Sequence, residues 1–145
     1  MKKEIKKRYL AYARENDGDK ERVSVDKQIM ECYKQVDSIG GEVIKIITDR
    51  NFSDSEDNRS GFQEILNYYN YYPDRFDGVV VYELSRLTTS LEEFTSLLNM
   101  STHDGKGIIS VKEKLDTGSM AGRLLMSMMA TCIDYVETVS KTEGR

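Results

Sequence analysis

Tryptophan is absent from this 145-residue chain, proline and histidine each occur once, and cysteine occurs twice. Cys32 and Cys132 form no CxxC pair, and His103 has no ligand cluster to join, so no metal or other cofactor is expected. Both thiols fall in helix-like segments and are expected to be reduced and packed as small apolar groups. No apolar run approaches the roughly 18 residues that a membrane-spanning helix needs. The basic start Met1-Lys2-Lys3-Glu4-Ile5-Lys6-Lys7-Arg8 leads into no apolar signal region, and a cytoplasmic location without membrane contact is expected. The chain also lacks a positive balance. Its 21 Lys and Arg against 25 Asp and Glu leave −4, which argues against a broad basic face gripping nucleic acid. A few arginines gathered at one point remain compatible with that charge.

What is present suits one α/β domain. Hydrophobic residues at 39% and charged residues at 32% are ordinary for a globular chain able to bury a core. Tyr9–Ala13 reads as a strand running straight into Arg14, followed by the acidic stretch Glu15 to Arg22. Ser24 is suited to cap a helix, and Ile29, Met30, Cys32, Val36 and Ile39 supply a helical stripe ending at Gly40-Gly41. Val43–Thr48 reads as a second strand closed by Asp49. A polar segment from Arg50 to Asn58 returns at Arg59, where Phe62, Ile65, Leu66 and Tyr69 mark a short helix. The tyrosines at 68, 69, 71 and 72 are expected to pack half-buried at its end rather than to stack on bases. Val79–Tyr82, a continuous β-branched run closed by tyrosine, suits a central parallel strand.

Ser90-Leu91-Glu92-Glu93 is a capping box opening a helix with Leu91, Phe94, Leu97 and Leu98 on its core face. Gly107–Val111 reads as a further strand. A long helix runs from Ser119 to about Lys141 by its 3.6-residue period. Leu124, Leu125, Met128, Cys132, Tyr135, Val136 and Val139 face one way and are expected to meet the core, with Met126 and Met129 widening the stripe. That excess also permits a partner helix. The alternation predicts an α/β fold with a mostly parallel central sheet of about four to five strands, helices on both faces and a long C-terminal helix.

Function in such sheets collects beyond the carboxyl ends of the strands. That rule points to Arg14-Glu15-Asn16, Asp49, Ser85-Arg86 and Lys112. Arg14 and Arg86 follow the first and third strands, and Arg59 enters from the polar segment. Three guanidinium groups brought to one edge make a phosphate clamp, because their donor forks match phosphate oxygens and stay charged.

The ordered motifs Tyr12-Ala13-Arg14, Ser24-Val25-Asp26-Lys27-Gln28, Thr48-Asp49, Arg59-Ser60-Gly61-Phe62, Val79 through Leu87, Leu115-Asp116-Thr117 and Gly122-Arg123-Leu124 resemble the resolvase/invertase-type catalytic domain of serine site-specific recombinases. The resemblance is nearest to the large serine recombinases of phages and conjugative elements and covers almost the whole chain. It implies a resolvase-like catalytic α/β domain over 1–118, whose long oligomerisation helix is 119–145, with no C-terminal DNA-binding domain. It further implies a DNA partner contacted at the phosphate backbone of a crossover site. Homo-oligomers from dimer to synaptic tetramer would form through the 119–141 helix. In that family a serine hydroxyl attacks a DNA phosphodiester to give a 5′-phosphoserine link. By motif, Arg14, Arg59 and Arg86 would be phosphate ligands, with Tyr12, Gln28 and Asp49 supporting and orienting the site.

The chain departs from the pattern at the centre of the chemistry. The family nucleophile lies two residues after the first arginine, where this chain has Asn16. Ser24 in Arg22-Val23-Ser24 imitates the motif, but no apolar strand precedes it. Thr89 stands where the family has a second arginine, and Asp134-Tyr135-Val136-Glu137 replaces Glu-Phe-Glu-Arg. The expected function is a serine-recombinase catalytic domain impaired in cleavage. Two other readings compete with it. One is a non-catalytic assembly domain of a recombinase. The other is a phospho-receiver-like module with Glu15, Asp17 and Asp19 as metal-binding acids and Asp49 as acceptor, although Asp49 follows the second strand rather than the third.

Overall fold

The structure, a computed structural model, describes residues 5–15, 23–50 and 60–143. Five strands, β1 (Arg8–Glu15), β2 (Glu42–Arg50), β3 (Gly78–Val81), β4 (Gly107–Ser110) and β5 (Leu115–Asp116), form one sheet in the order β2-β1-β3-β4-β5. The first four are parallel and β5 returns antiparallel to β4. Among the described residues five α-helices accompany them, α1 (Val25–Ser38), α2 (Ser60–Tyr71), the single turn α3 (Leu84–Leu87), α4 (Leu91–Asp104) and α5 (Met120–Glu143), with one 3-10 turn at Pro73–Arg75. A mostly parallel α/β sheet with a long final helix is therefore what the alternation predicted. The two-residue strand β5 is an addition too short to leave a periodic signal.

Alternation along β1 divides the core in two. Leu10 and Tyr12 join Val79 and Val81 beneath α2, α4 and α5, whereas Tyr9 and Ala11 join Val80 and Ile109 beneath α1. This is the period-two rule of a strand buried on both faces. Both β1 and β2 extend past their expected limits. Arg14 and Asp49 lie within β1 and β2, paired in register with each other, rather than after them.

Local caps follow the sequence chemistry. Ser24 Oγ accepts the Lys27 N–H at 3.1 Å, and Ser90 Oγ accepts the Glu93 N–H at 3.2 Å. The Ser90 N–H donates to Thr88 Oγ1, and the Thr88 hydroxyl donates to Glu93, so Thr88 stands within the box. Gly40 closes α1 with φ +74, a left-handed conformation that glycine adopts without steric cost. At the β5–α5 junction, an added Cβ on Gly122 would lie 1.8 Å from the Asp116 carbonyl oxygen, so only glycine fits.

Two apolar stripes turned out otherwise than expected. On α1 the buried residues are Val25, Gln28, Cys32 and Val36, while Met30 and Ile39 are exposed. On α5 the docked face is Met126, Met129, Ala130 and Ile133. Leu124, Leu125, Met128, Tyr135 and Val136, expected to face the core, are exposed instead. The helix carries apolar residues on more than one side, and periodicity alone does not say which side the sheet takes. Among the tyrosines, Tyr68 and Tyr69 pack edge-to-face on Phe76, while Tyr71 and Tyr72 are exposed.

Cys132 shares the exposed side of α5, contrary to the expectation that both thiols are packed. Cys32 is fully buried, and burial, with the nearby Glu31 charge adding to it, pushes its thiol up to about 12. The thiolate is the reactive species, so a thiol-specific reagent at mildly alkaline pH is expected to label Cys132 in the native protein. Cys32 is expected to react only after urea unfolding. Mass mapping of the labelled peptides checks this, and equal labelling of both in the native state would contradict it.

Candidate functional site

The connection leaving β1 packs α1 on one face, and that leaving β3 packs α3 and α4 on the other. Parallel sheets open a crevice where the connections of adjacent strands part in this way, at the carboxyl ends of the strands concerned. Here those strands are β1 and β3.

Arg14 is the penultimate residue of β1. Its backbone is held by the buried Gln28 side chain of α1 on both sides. Gln28 Oε1 accepts the Arg14 N–H at 3.2 Å, and Gln28 Nε2 donates to Arg14 O at 3.0 Å and to Val23 O at 3.2 Å. One amide thus ties the end of β1 to the start of α1. Arg86, in α3 just beyond β3, is 3% exposed. Its Nη1 donates to Arg14 O at 3.2 Å, while Arg14 Nη2 donates to Ser85 O at 2.9 Å. Each guanidinium therefore bonds to the backbone of the other's segment, and the two cations are cross-braced at the crevice.

A second unit stands beside them. The Tyr12 hydroxyl donates to Asp49 Oδ2 at 2.6 Å, and Asp49 also accepts the N–H groups of Gly61 and Phe62 at 2.7 and 3.0 Å. A carboxylate at the first turn of α2 satisfies donors that have no partner within the helix and faces the positive end of its dipole. Tyr12 and Arg14 share one side of β1 by the two-residue period, which links this unit to the arginines. Arg59 and Asn16 lie outside the described residues, as do Asp17 and Asp19. The structure thus brings together Tyr12, Arg14, Gln28, Asp49 and Arg86.

Ser24 lies apart in role: it is exposed, and its Oγ caps α1. Among the described residues no group of three His, Cys, Asp or Glu is placed to hold a metal ion. No described helix is long and apolar enough to cross a membrane.

Sequence reasoning passed over a carboxylate bonded to Arg86. Glu83 Oε1 lies 3.0 Å from Arg86 Nε, and its Oε2 lies 3.1 Å from Lys112 Nζ. The hydrogen bond to Glu83, and then its charge, raise the Lys112 ammonium above its ordinary value. Glu at i and Arg at i+3 was the available signal.

The family model described as "Resolvase, N terminal domain" matches residues 9–142. No curated protein matches the chain. The N-terminal catalytic domain of TP901-1 integrase is 29% identical, with a TM-score of 0.70 over 91% of this chain and 97% of that one. A resolvase family site-specific recombinase from Streptococcus pneumoniae has the same fold at 20% identity, with a TM-score of 0.72 over 96% and 95% of the two chains. A serine recombinase from Sulfolobus solfataricus, also 20% identical, matches with a TM-score of 0.55 over 95% and 89%.

Proposed function

The chain belongs to the resolvase N-terminal domain family, and on that premise we propose that it is a serine-recombinase catalytic domain that binds DNA phosphates but is impaired in cutting them. The observation that carries this reading is the cross-braced pair Arg14 and Arg86 at the crevice. Held guanidinium groups stabilise charge building on a phosphate without a metal ion. Arg59 supplies a third cation from the segment before α2. Tyr12, Gln28 and Asp49 act on the backbone and helix ends that carry these arginines.

The impairment rests on Asn16. Phosphoryl transfer to a side chain needs a hydroxyl or thiol that can lose its proton, and a carboxamide has neither. Ser24 is a poor substitute, because its oxygen is engaged at the start of α1.

A second reading has its own support. The exposed apolar side of α5, with Leu124, Met128, Tyr135 and Val136, suits pairing with the same helix of another copy or of an intact recombinase subunit. On that reading the chain is an assembly domain.

One experiment separates these readings. The chain is fused to a sequence-specific DNA-binding module and incubated with duplexes whose central sequence is randomised. Half of each reaction is quenched with detergent, and the other half is sized by light scattering. Reversible binding that weakens with salt and leaves no covalent adduct is expected. Self-association with no effect of DNA supports the assembly role alone. An adduct whose digested peptide carries a nucleotide on Ser24 would overturn the proposed impairment.

A further inference from the structure

Glu83 ends the strand segment after β3 and precedes α3, yet its side chain makes no cap to that helix. It turns to the arginine site instead. The Glu83 side chain is 15% exposed, and its carboxylate is wedged between the side chains of Arg86, 4% exposed, and Lys112, 60% exposed. Its own segment is fixed from the other side. Glu113, next to Lys112, accepts the Leu84 N–H at 3.2 Å and the Ser110 hydroxyl. The Lys112 N–H donates to Tyr82 O at 2.7 Å. The turn after β4 thereby holds the residues on both sides of Glu83.

A carboxylate beside a phosphate-binding arginine has two opposed effects. Its charge lowers the affinity of the site for an anion. Its hydrogen bond fixes the guanidinium plane, so that less rotamer freedom is lost when the anion arrives. The geometry here favours the second. Glu83 occupies the Nε edge of Arg86, while Nη1 reaches the Arg14 carbonyl. Two edges of one planar group are thus held at once. Lys112 on the other carboxylate oxygen offsets much of the negative charge.

We propose that Glu83 is a positioning residue for the phosphate site: it sets the guanidinium plane of Arg86, with Lys112 balancing its charge. The proposal rests on the phosphate-binding reading given above for what Arg86 does. The holding of Arg86 itself is independent of that reading.

The test therefore has a ligand-free arm and a DNA arm. In the first, the side-chain Nε–H signal of Arg86 is followed by NMR and assigned by its loss in Arg86→Lys. The signal is expected to be downfield and slow to exchange in the native chain, largely kept in Glu83→Gln, and fast to exchange in Glu83→Ala. In the second, binding of a mixed-sequence duplex at low salt is followed by fluorescence anisotropy. Glu83→Ala is expected to weaken binding by roughly fivefold to tenfold although it removes a negative charge, and Glu83→Gln to restore most of it. Unchanged exchange in Glu83→Ala, or tighter DNA binding by that variant, overturns the proposal. Failure of the native chain to bind DNA while the exchange pattern holds would instead sink the phosphate-binding reading and leave Glu83 as the residue that orients Arg86.

Discussion

If the proposed impairment holds, replacing Asn16 with serine is expected to give the chain a covalent DNA-cleaving activity that the native chain would not show. In the Asn16→Ser variant the new hydroxyl oxygen would bond to phosphorus as the bond to the 3′ oxygen breaks. One proton passes from the serine to that 3′ oxygen. The product pair, a 5′-phosphoserine ester and a free 3′ hydroxyl, conserves the phosphodiester energy and calls for no ATP or metal. On the proposed reading the arginines already present would supply the charge stabilisation, which in oxyanion-type sites is worth about a hundredfold to a thousandfold for one donor. Loss of a nucleophile in another enzyme class costs on the order of a millionfold. The gain here is expected to be smaller, at least about a thousandfold over the native chain, because Thr89 and Val136 still depart from the family pattern. Detergent-trapped adduct, with a nucleotide mass on residue 16, is the measurement. Asn16→Ala is the matched control and should give none. In the serine variant, a further Arg86→Ala change should remove most of the adduct. A serine variant as inert as the alanine variant would show that more than the nucleophile is missing, and the cleavage reading would fall.

The fold was legible because its signals are local. Val79–Val81 is a β-branched run, Ser24 and Ser90 are caps, and Gly40 is a stop signal, so each element announces itself. The site was legible in part for the same reason. Arg14 and Asp49 stand at the ends of recognisable strands and Arg86 shortly after one, and strand order in a parallel sheet gathers such ends. What could not be read is whatever depends on choosing between equivalent faces. Met126 and Met128 are two positions apart on α5 and chemically alike, yet one is fully buried and the other exposed. The helical period puts them on opposite sides without saying which side docks, and that choice is made by Phe94, Leu97 and the other groups packed beneath. Cys132 followed the wrong stripe outward with its neighbours. Glu83 was missed for a different reason. A glutamate before a short helix reads as an ordinary cap or solvated charge, and its link to Lys112, 29 residues away, exists only once β3 and β4 are side by side.

The largest stability loss is expected from Asp49→Ala. Asp49 is 2% exposed and collects three donors: the Tyr12 hydroxyl and the N–H groups of Gly61 and Phe62. Removing the carboxylate strands all three in a site walled by Tyr12 and Phe62. A buried donor left without its partner costs about 1–3 kcal/mol. Water entering the vacated space recovers some of this, so a net loss of about 3–5 kcal/mol is expected. That is at least about a fifth of the roughly 5–15 kcal/mol that holds such a domain together, and it should lower the urea midpoint by about 1.5–2.5 M. Tyr12→Phe removes one donor and leaves Asp49 its two backbone partners, so its cost should be smaller, about 1.5–3 kcal/mol. Gly61→Ala tests the same packing from the other side. Its Cβ would stand 2.9 Å from Asp49 Oδ2, closer than such atoms normally approach, and that carboxylate can yield only by giving up its three donors. The ranking of these variants separates the local account from a general fragility. If Asp49 acts as the tie between β2 and the first turn of α2, Asp49→Ala should also speed hydrogen exchange at Gly61 and Phe62 more than at Val79–Val81. Because Arg59 directly precedes α2, the same variant should weaken DNA binding beyond what its unfolded fraction explains. Uniform loosening across the sheet, or a urea midpoint within error of the native chain, would show that α2 is anchored by its apolar face alone.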